Sequence, residues 1–198
     1  MGAIETAMLN VACTQVGKYF GLPTHAYLVA TDSKLVDAQA GIESGISAVL
    51  GALAGINMIS GAGMLDSLAC HSLEKLVIDA EAISYAQRLV RGVQTGQETL
   101  AASAFAQIGL SGEFLRLKET RALFRSEQYF PSSVIQRGSE ARADGQPLCD
   151  TFSRARTRVQ EVLTSYQRPA MSLEREKSLL EIARREGARV GLQHLPGV

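Results

Sequence analysis

The chain has no tryptophan, only 11 Phe and Tyr, and three cysteines far apart, at Cys13, Cys70 and Cys149. An odd, scattered set of cysteines matches neither a disulfide framework nor a zinc ligand set, and it suits a reducing cytoplasm. Long apolar runs are also missing. The most apolar stretch, Ile46 to Ile59, is 14 residues and is broken by glycines, too short to span a bilayer. Met1 leads into an acidic, Ala-rich segment without a basic n-region, so no signal peptide is expected. The formal net charge is zero, which speaks against nucleic acid. Lys and Arg number 5 against 9 Asp and Glu in residues 1–110, and 15 against 11 beyond, where Glu is mixed with Arg as on solvated helix faces. His25, His71 and His194 lack metal-ligand spacing, and Cys70-His71 lacks a third group to orient a thiol nucleophile.

What is present is a soluble-protein composition, 46% hydrophobic and 20% charged, with alternating helix and strand signals up to about residue 92. Ile4 to Phe20 reads as a helix with Ile4, Met8, Ala12, Val16 and Tyr19 on one stripe, stopped by Gly21 and Pro23. His25 to Ala30 reads as a strand. Thr31, Asp32 and Ser33 offer N-cap oxygens for a helix whose Leu35, Ala38, Ile42, Ile46, Val49 and Leu53 share a face. Ile56 to Ser60 reads as a second strand turning at Gly61-Ala62-Gly63. His71 to Arg91 reads as a helix with Leu73, Leu76, Val77, Ala80 and Ile83 inward and a surface pair, Lys75–Asp79. Beyond Gly92 only helices are expected: one opened by Thr95 and Glu98, then Leu117–Arg125, Thr151–Tyr166 and Ser172–Val190.

Asp32, Lys34 and Asp37 therefore fall where a strand ends and a helix begins, the end of α/β strands at which ligands and catalysis gather. The plainer reading makes Asp32 a cap and the other two solvated charges. Gly61 and Gly63 invite a dinucleotide or S-adenosylmethionine site, but the third glycine and the acidic partner are missing, and a tight turn lining a site by its lack of side chains fits better. Two strands do not close a sheet, and a β/α barrel takes roughly 250 residues and eight strands. The expected fold is thus α/β, a partial TIM (β/α) barrel with a helical C-terminal segment. Its expected parts are 1–130, the C-terminal part of a barrel, and 131–198, a helical appendix.

The segment from Gly21 to Ser44 carries Thr31-Asp32-Ser33-Lys34 and Asp37-Ala38-Gln39-Ala40-Gly41 with Glu43. Together with Gly2-Ala3-Ile4-Glu5, Ser72-Leu73-Glu74-Lys75-Leu76-Val77-Ile78-Asp79, Arg91-Gly92, Glu98-Thr99-Leu100 and Gly112-Glu113-Phe114-Leu115, it resembles the trimethylamine methyltransferase (MttB-type) family. Ile4 stands for the family's Pro, Ile42 for an aromatic, and Glu119 and Leu123 for histidines. The resemblance implies a TIM barrel that moves a methyl group from a methylated amine, trimethylamine or a quaternary amine such as glycine betaine, to a corrinoid (cobalamin) carried by a partner protein. It also implies that no cofactor is bound directly. By inference from position rather than by motif identity, Asp32, Lys34 and Asp37 are expected to be catalytic and Glu5, Tyr27, Gly61 and Gly63 to bind substrate. The family's pyrrolysine, placed near the Asp37 stretch, is absent, which points to the members lacking it and to a quaternary amine. A methylated amine prefers an aromatic cage, for which Tyr27 is the nearest ring, although strand alternation suggests core for it. Homo-oligomerisation is left open, as is a non-catalytic remnant or half-barrel that needs a partner chain.

Overall fold

The computed structural model describes residues 1–96, 102–137, 149–192 and 194. The fold is mixed α/β and mainly helical. In order come α1 (Ile4–Tyr19), β1 (His25–Tyr27), α2 (Ala38–Leu53), β2 (Met58–Ser60), β3 (Met64–Leu65), β4 (Cys70–His71), α3 (Leu73–Val90), α4 (Ala102–Ile108), α5 (Lys118–Glu127), α6 (Thr151–Ser165) and α7 (Leu173–Arg189). Strands β1 and β2 pair in parallel, His25 beside Met58, Ala26 beside Ile59 and Tyr27 beside Ser60, so α2 is the crossover between them. Strands β3 and β4 make a small antiparallel hairpin that the sequence reading did not include. The expected start of a helix at Thr95 and Glu98 falls partly on residues 97–101, outside the described residues.

Two compact units divide the chain, residues 1–162 and 163–198. The first holds the sheet and helices α1 to α5. The second holds α7, whose N-cap is Ser172, its hydroxyl accepting from the Arg175 N–H. An ion pair joins Arg168 to Glu176 at 3.0 Å in the same unit.

The helices follow the faces expected from hydropathy only in part: Val49 of α2 and Ile83 of α3 pack against the core, but the most buried positions are small or polar residues off the expected stripes. In α2 the buried residues are Ala40, Ser44, Ser47, Ala48 and Gly51, while Ile42, Ile46 and Leu53 are exposed. In α1 Ala7 and Thr14 are buried, and Ile4, Met8, Val16 and Tyr19 face out. In α3 Lys75, Asp79, Glu81 and Ala86 are buried, whereas Leu73 and Leu76 are not. Steric fit explains the departure. A Cβ on Gly51 would stand 2.7 Å from Ile59 Cδ1 and 2.9 Å from Leu28 Cδ1, so only small residues let α2 lie this close to the strands. The core beneath the sheet is Ala7, Ala26, Leu28, Val29, Ala48 and Ala86.

Strand β1 is also shorter than the expected His25–Ala30. It ends because Val29 adopts φ 65°, a left-handed conformation that costs a β-branched residue strain. Its opposite face is open. His25 and Tyr27 point away from the helices, and Tyr27 is 48% exposed rather than core.

Candidate functional site

The loop after β1 folds around the carboxylate of Glu43, which reaches back from the second turn of α2. Glu43 Oε2 accepts the Thr31 hydroxyl at 2.5 Å and the Asp32 N–H at 2.8 Å, and Oε1 accepts Gln39 Nε2 at 2.8 Å. Thr31 is fully buried and also accepts the Ser33 N–H at 3.0 Å. Gly2 crosses this carboxylate so closely that a Cβ there would meet Glu43 Oε2 at 2.0 Å.

Asp32 is bound from the other side. Its Oδ1 accepts the Met1 ammonium at 2.7 Å, the Gly2 N–H at 2.9 Å and the Ser67 hydroxyl at 2.5 Å. Ser67 gets there through a left-handed turn in which Asp66, Ser67 and Leu68 have φ 48°, 54° and 77°. Backbone bonds clamp that turn onto the β1 loop: Asp66 N–H to Ser33 O at 2.9 Å and Ser67 N–H to Thr31 O at 3.0 Å. Lys34 lies across the same turn, 2.9 Å from Asp66 Oδ1, and donates to Asp32 O at 3.2 Å.

Both carboxylates are held ionised. The Gly2 N–H, then the terminal ammonium and the Ser67 hydroxyl, pull Asp32 far below the usual carboxylate range. For Glu43, burial pushes upward, but the Thr31, Gln39 and Asp32 N–H donors together outweigh it and its pKa is lowered. Asp32 raises Glu43 electrostatically, the mark of two anions at close quarters. The Lys34 ammonium is raised by its bond to Asp66.

The structure thus brings Asp32 and Lys34 together. Asp37 sits apart as the N-cap of α2, accepting the Ala40 N–H at 3.1 Å, with the Ser33 hydroxyl 3.1 Å away. The expected caps, Thr31, Asp32 and Ser33, belong instead to the loop. Glu5 is exposed in the first turn of α1 and joins none of these bonds. Tyr27 lies on the open face of β1, edge-on to His25 at 5.1 Å, and His25 Nε2 is 2.9 Å from Ser60 Oγ. Gly61 has φ 132°, and a Cβ there would meet Leu28 O at 2.4 Å; at Gly63, with φ 81°, it would meet His71 Nε2 at 2.6 Å. The Leu28 backbone accounts for Gly61, and the His71 and Leu76 side chains, with the positive φ, account for Gly63.

A hollow of about 200 Å³ adjoins Glu43, walled by Gly2, Ile4, Ala7, Ile42 and Ile46. A larger apolar hollow of about 410 Å³ lies between the C-terminal halves of α2 and α3, among Ala52, Ile56, Gln87 and Val90, at the other end of those helices from the carboxylates. The roles of Glu43 and Ser67 escaped the sequence reading. One signal was available: Glu43 is the only charged residue in α2. Ser67 had none, since its position depends on the left-handed turn.

The Lys75–Asp79 pair expected on the surface is formed, at 2.5 Å, but it is buried, with side chains 0% and 1% exposed. Lys75 Nζ also donates to Ser44 Oγ at 2.8 Å and to Val29 O at 3.4 Å, and Asp79 Oδ2 accepts the Gly63 N–H at 2.7 Å.

Parallel strands joined by a helical crossover, with acidic groups in and against the loop after the first strand, define an α/β protein. Comparison makes the assignment specific. The family model for trimethylamine methyltransferase (MTTB) matches residues 1–190, and the chain belongs to that family. It is 32% identical over 184 residues to trimethylamine methyltransferase MttB2 of Methanosarcina mazei, covering 92% of this chain and 36% of that protein. It is 34% identical over 169 residues to trimethylamine methyltransferase MttB of Methanosarcina thermophila, covering 84% and 34%. To the glycine betaine methyltransferase of Desulfitobacterium hafniense (strain Y51) it is 29% identical over 192 residues, covering 96% and 40%. The chain thus spans between 34% and 40% of the length of these three relatives. Among the described residues, no helix is long and apolar enough to cross a membrane.

Proposed function

We propose that this chain forms the C-terminal part of a β/α barrel, residues 1–130 with a helical appendix at 131–198, that moves a methyl group from a methylated amine to a corrinoid protein in the cytoplasm. The observation that carries the reading is the pair of ionised carboxylates, Asp32 in the loop after β1 and Glu43 reaching that loop from α2, in a chain of this family. Two anions at a barrel mouth attract a methylated ammonium and hold it in one orientation. Tyr27, on the open face of the same strand, offers a ring to the cation. Lys34 tempers the negative charge and ties the loop to Asp66. Asp37 acts on α2, and so on the reach of Glu43, rather than on substrate. Gly61 and Gly63 give the strand ends their close approach, and Glu5 lines the approach from α1.

The corrinoid belongs to the partner protein and would supply the nucleophilic cobalt that accepts the methyl group. The task left to this chain is to bind the amine, orient its methyl group and exclude water. A quaternary amine such as glycine betaine leaves as a neutral tertiary amine and needs no proton, which suits a site whose acids are held ionised; trimethylamine is the other candidate. The test is a transfer assay with cob(I)alamin and either amine. Loss of cob(I)alamin absorbance with folded wild-type protein, and not with Asp32→Asn, is expected. No loss with either amine removes the enzyme reading for the chain alone.

A second reading is favoured by the outward apolar residues Ile42, Ile46 and Leu53 of α2 and by the two-stranded sheet. On it, the chain is a half-barrel that works only with further β/α units. Transfer activity that emerges only on adding the N-terminal part of a family member would select it.

A further inference from the structure

The buried pair Lys75–Asp79 lies outside the carboxylate cluster, yet it touches both strand ends that carry the cluster. Lys75 spends its three ammonium donors on Val29 O, Ser44 Oγ and Asp79 Oδ2. Val29 is the residue that takes the strained left-handed turn out of β1, and its N–H is fixed on the other side by Ser47 Oγ at 3.0 Å. Asp79 Oδ2 holds the N–H of Gly63, in the turn out of β2. A buried ion pair is seldom more stable than apolar residues of the same volume, so net stability does not explain this one. Nor is the pair arranged for its own satisfaction. Asp79 Oδ2 takes both Lys75 and Gly63, while Oδ1 is buried without a hydrogen-bond partner among the described residues. Its geometry follows the two backbone points it holds. Apolar side chains in its place reproduce the volume and neither bond.

We propose that Lys75 and Asp79 are positioning residues whose pair ties the end of β1 at Val29 to the turn at Gly63. It thereby sets the Thr31–Lys34 loop and the Ser67 turn that hold Asp32. The functional weight of this device rests on the reading of Asp32 as part of an amine site, but its structural content does not.

The experiment uses the full chain carrying Lys75→Met with Asp79→Leu, which removes both charges at once. Thermal unfolding reports the whole molecule, NMR chemical shifts of Val29 report its left-handed backbone, and amide exchange of Asp32, Ser33 and Gly63 reports the loops. The expected result is a melting temperature near wild type, a Val29 shift moved to extended values, and exchange at least about tenfold faster at the three amides. Asp79→Asn, which keeps an acceptor for Lys75 and Gly63, is expected to restore the wild-type Val29 shift. A stable double variant with Val29 shift and loop exchange unchanged overturns the proposal. If the double variant does not fold, wild-type exchange decides. Asp32, Ser33 and Gly63 opening together with Lys75 and Asp79 upholds the tie, and loop amides exchanging about tenfold faster than those of Lys75 and Asp79 overturn it. None of these readouts needs an amine. A failed transfer assay therefore removes the functional reading and leaves this test standing.

Discussion

Replacing Gly61 by alanine tests the geometry at the strand ends most directly. The new Cβ would stand 2.4 Å from the Leu28 carbonyl oxygen, a backbone atom that cannot swing aside like a side chain. Ordinary contact lies near 3.5 Å, so β1 must move by about 1 Å at Leu28 or the turn must change its dihedral angles. Moving β1 breaks the Leu28 N–H bond to Ser60 O, now 3.0 Å. That bond is worth about 0.5–1.5 kcal/mol net. Keeping φ near 132° with a side chain costs about 1–3 kcal/mol more. The expected loss is about 1.5–4.5 kcal/mol, the sum of these terms. Gly41→Ala is the matched control. It lies within α2 with nothing within 4 Å of a built Cβ, so it should stabilise by about 0.5–1 kcal/mol through the unfolded state. Urea unfolding of both variants followed by helical circular dichroism measures the contrast. A Gly61→Ala midpoint indistinguishable from wild type would refute the reasoning, because it would mean that the two strand ends do not meet as closely as described.

Four further outcomes are expected. Lys75→Met alone leaves Asp79 buried without its cation and should cost about 3–5 kcal/mol in the same unfolding assay, most of it recovered when Asp79→Leu is added. Asp37→Ala removes the α2 N-cap and should cost about 1 kcal/mol, with the helical signal of α2 fraying first in amide exchange. Asp32 and Glu43 titrate below their ordinary values of 3.8 and 4.5 when folded, so their stabilisation is complete above those values and disappears as the pH falls. Asp79, raised chiefly by burial, has the opposite sign and weakens the fold as the pH climbs above 3.8 through its folded value. Urea midpoints across the acid range should therefore show a shallower acid limb in Glu43→Gln, and a wild-type limb left unchanged by that substitution would contradict the assigned bonds. Tyr27→Ala should leave the melting temperature near wild type and weaken glycine betaine binding by about 0.5–2 kcal/mol in calorimetry, if the open strand face takes the cation.

Local signals in the sequence carried the order and type of elements well. The helix starts are less legible: the caps expected at Thr31, Asp32 or Ser33 give way to Asp37, and Ser72 and Ser172 cap α3 and α7. The parallel crossover from β1 to β2 followed from the alternation of strand and helix. Burial is legible only in part, with Val49 and Ile83 inward but Ile42, Ile46, Leu73 and Leu76 exposed, because periodicity shows that a helix has two faces without saying which one meets the core. In α2 both faces are apolar, one large and one small, and the choice is made by how near Leu28 and Ile59 come to Gly51. The site was half legible for a related reason. Asp32 and Lys34 stand beside one another in the chain, but Glu43 joins them through a loop closure and Ser67 through a left-handed turn of non-glycine residues, and no side-chain pattern announces such a turn. Lys75 and Asp79 were paired correctly from their spacing and misplaced, since an i,i+4 pair looks the same in water as in a core.

The small-residue seam between α2 and the strands has a consequence for how this sequence can change. In most amphipathic helices the bulky positions are the intolerant ones and the small exposed ones drift. Here a library of α2 substitutions scored for folding would give the inverse map. Gly51 would reject enlargement, because a side chain there meets Ile59 and Leu28, and Ser44, buried against Val29 O and the Lys75 ammonium, has no room to grow. Ile42, Ile46 and Leu53 would accept polar replacements at little cost to this unit, so long as nothing else leans on them. Such a map would separate the residues that shape the unit from those that face outward, and substitutions lost at the second group would betray a neighbour.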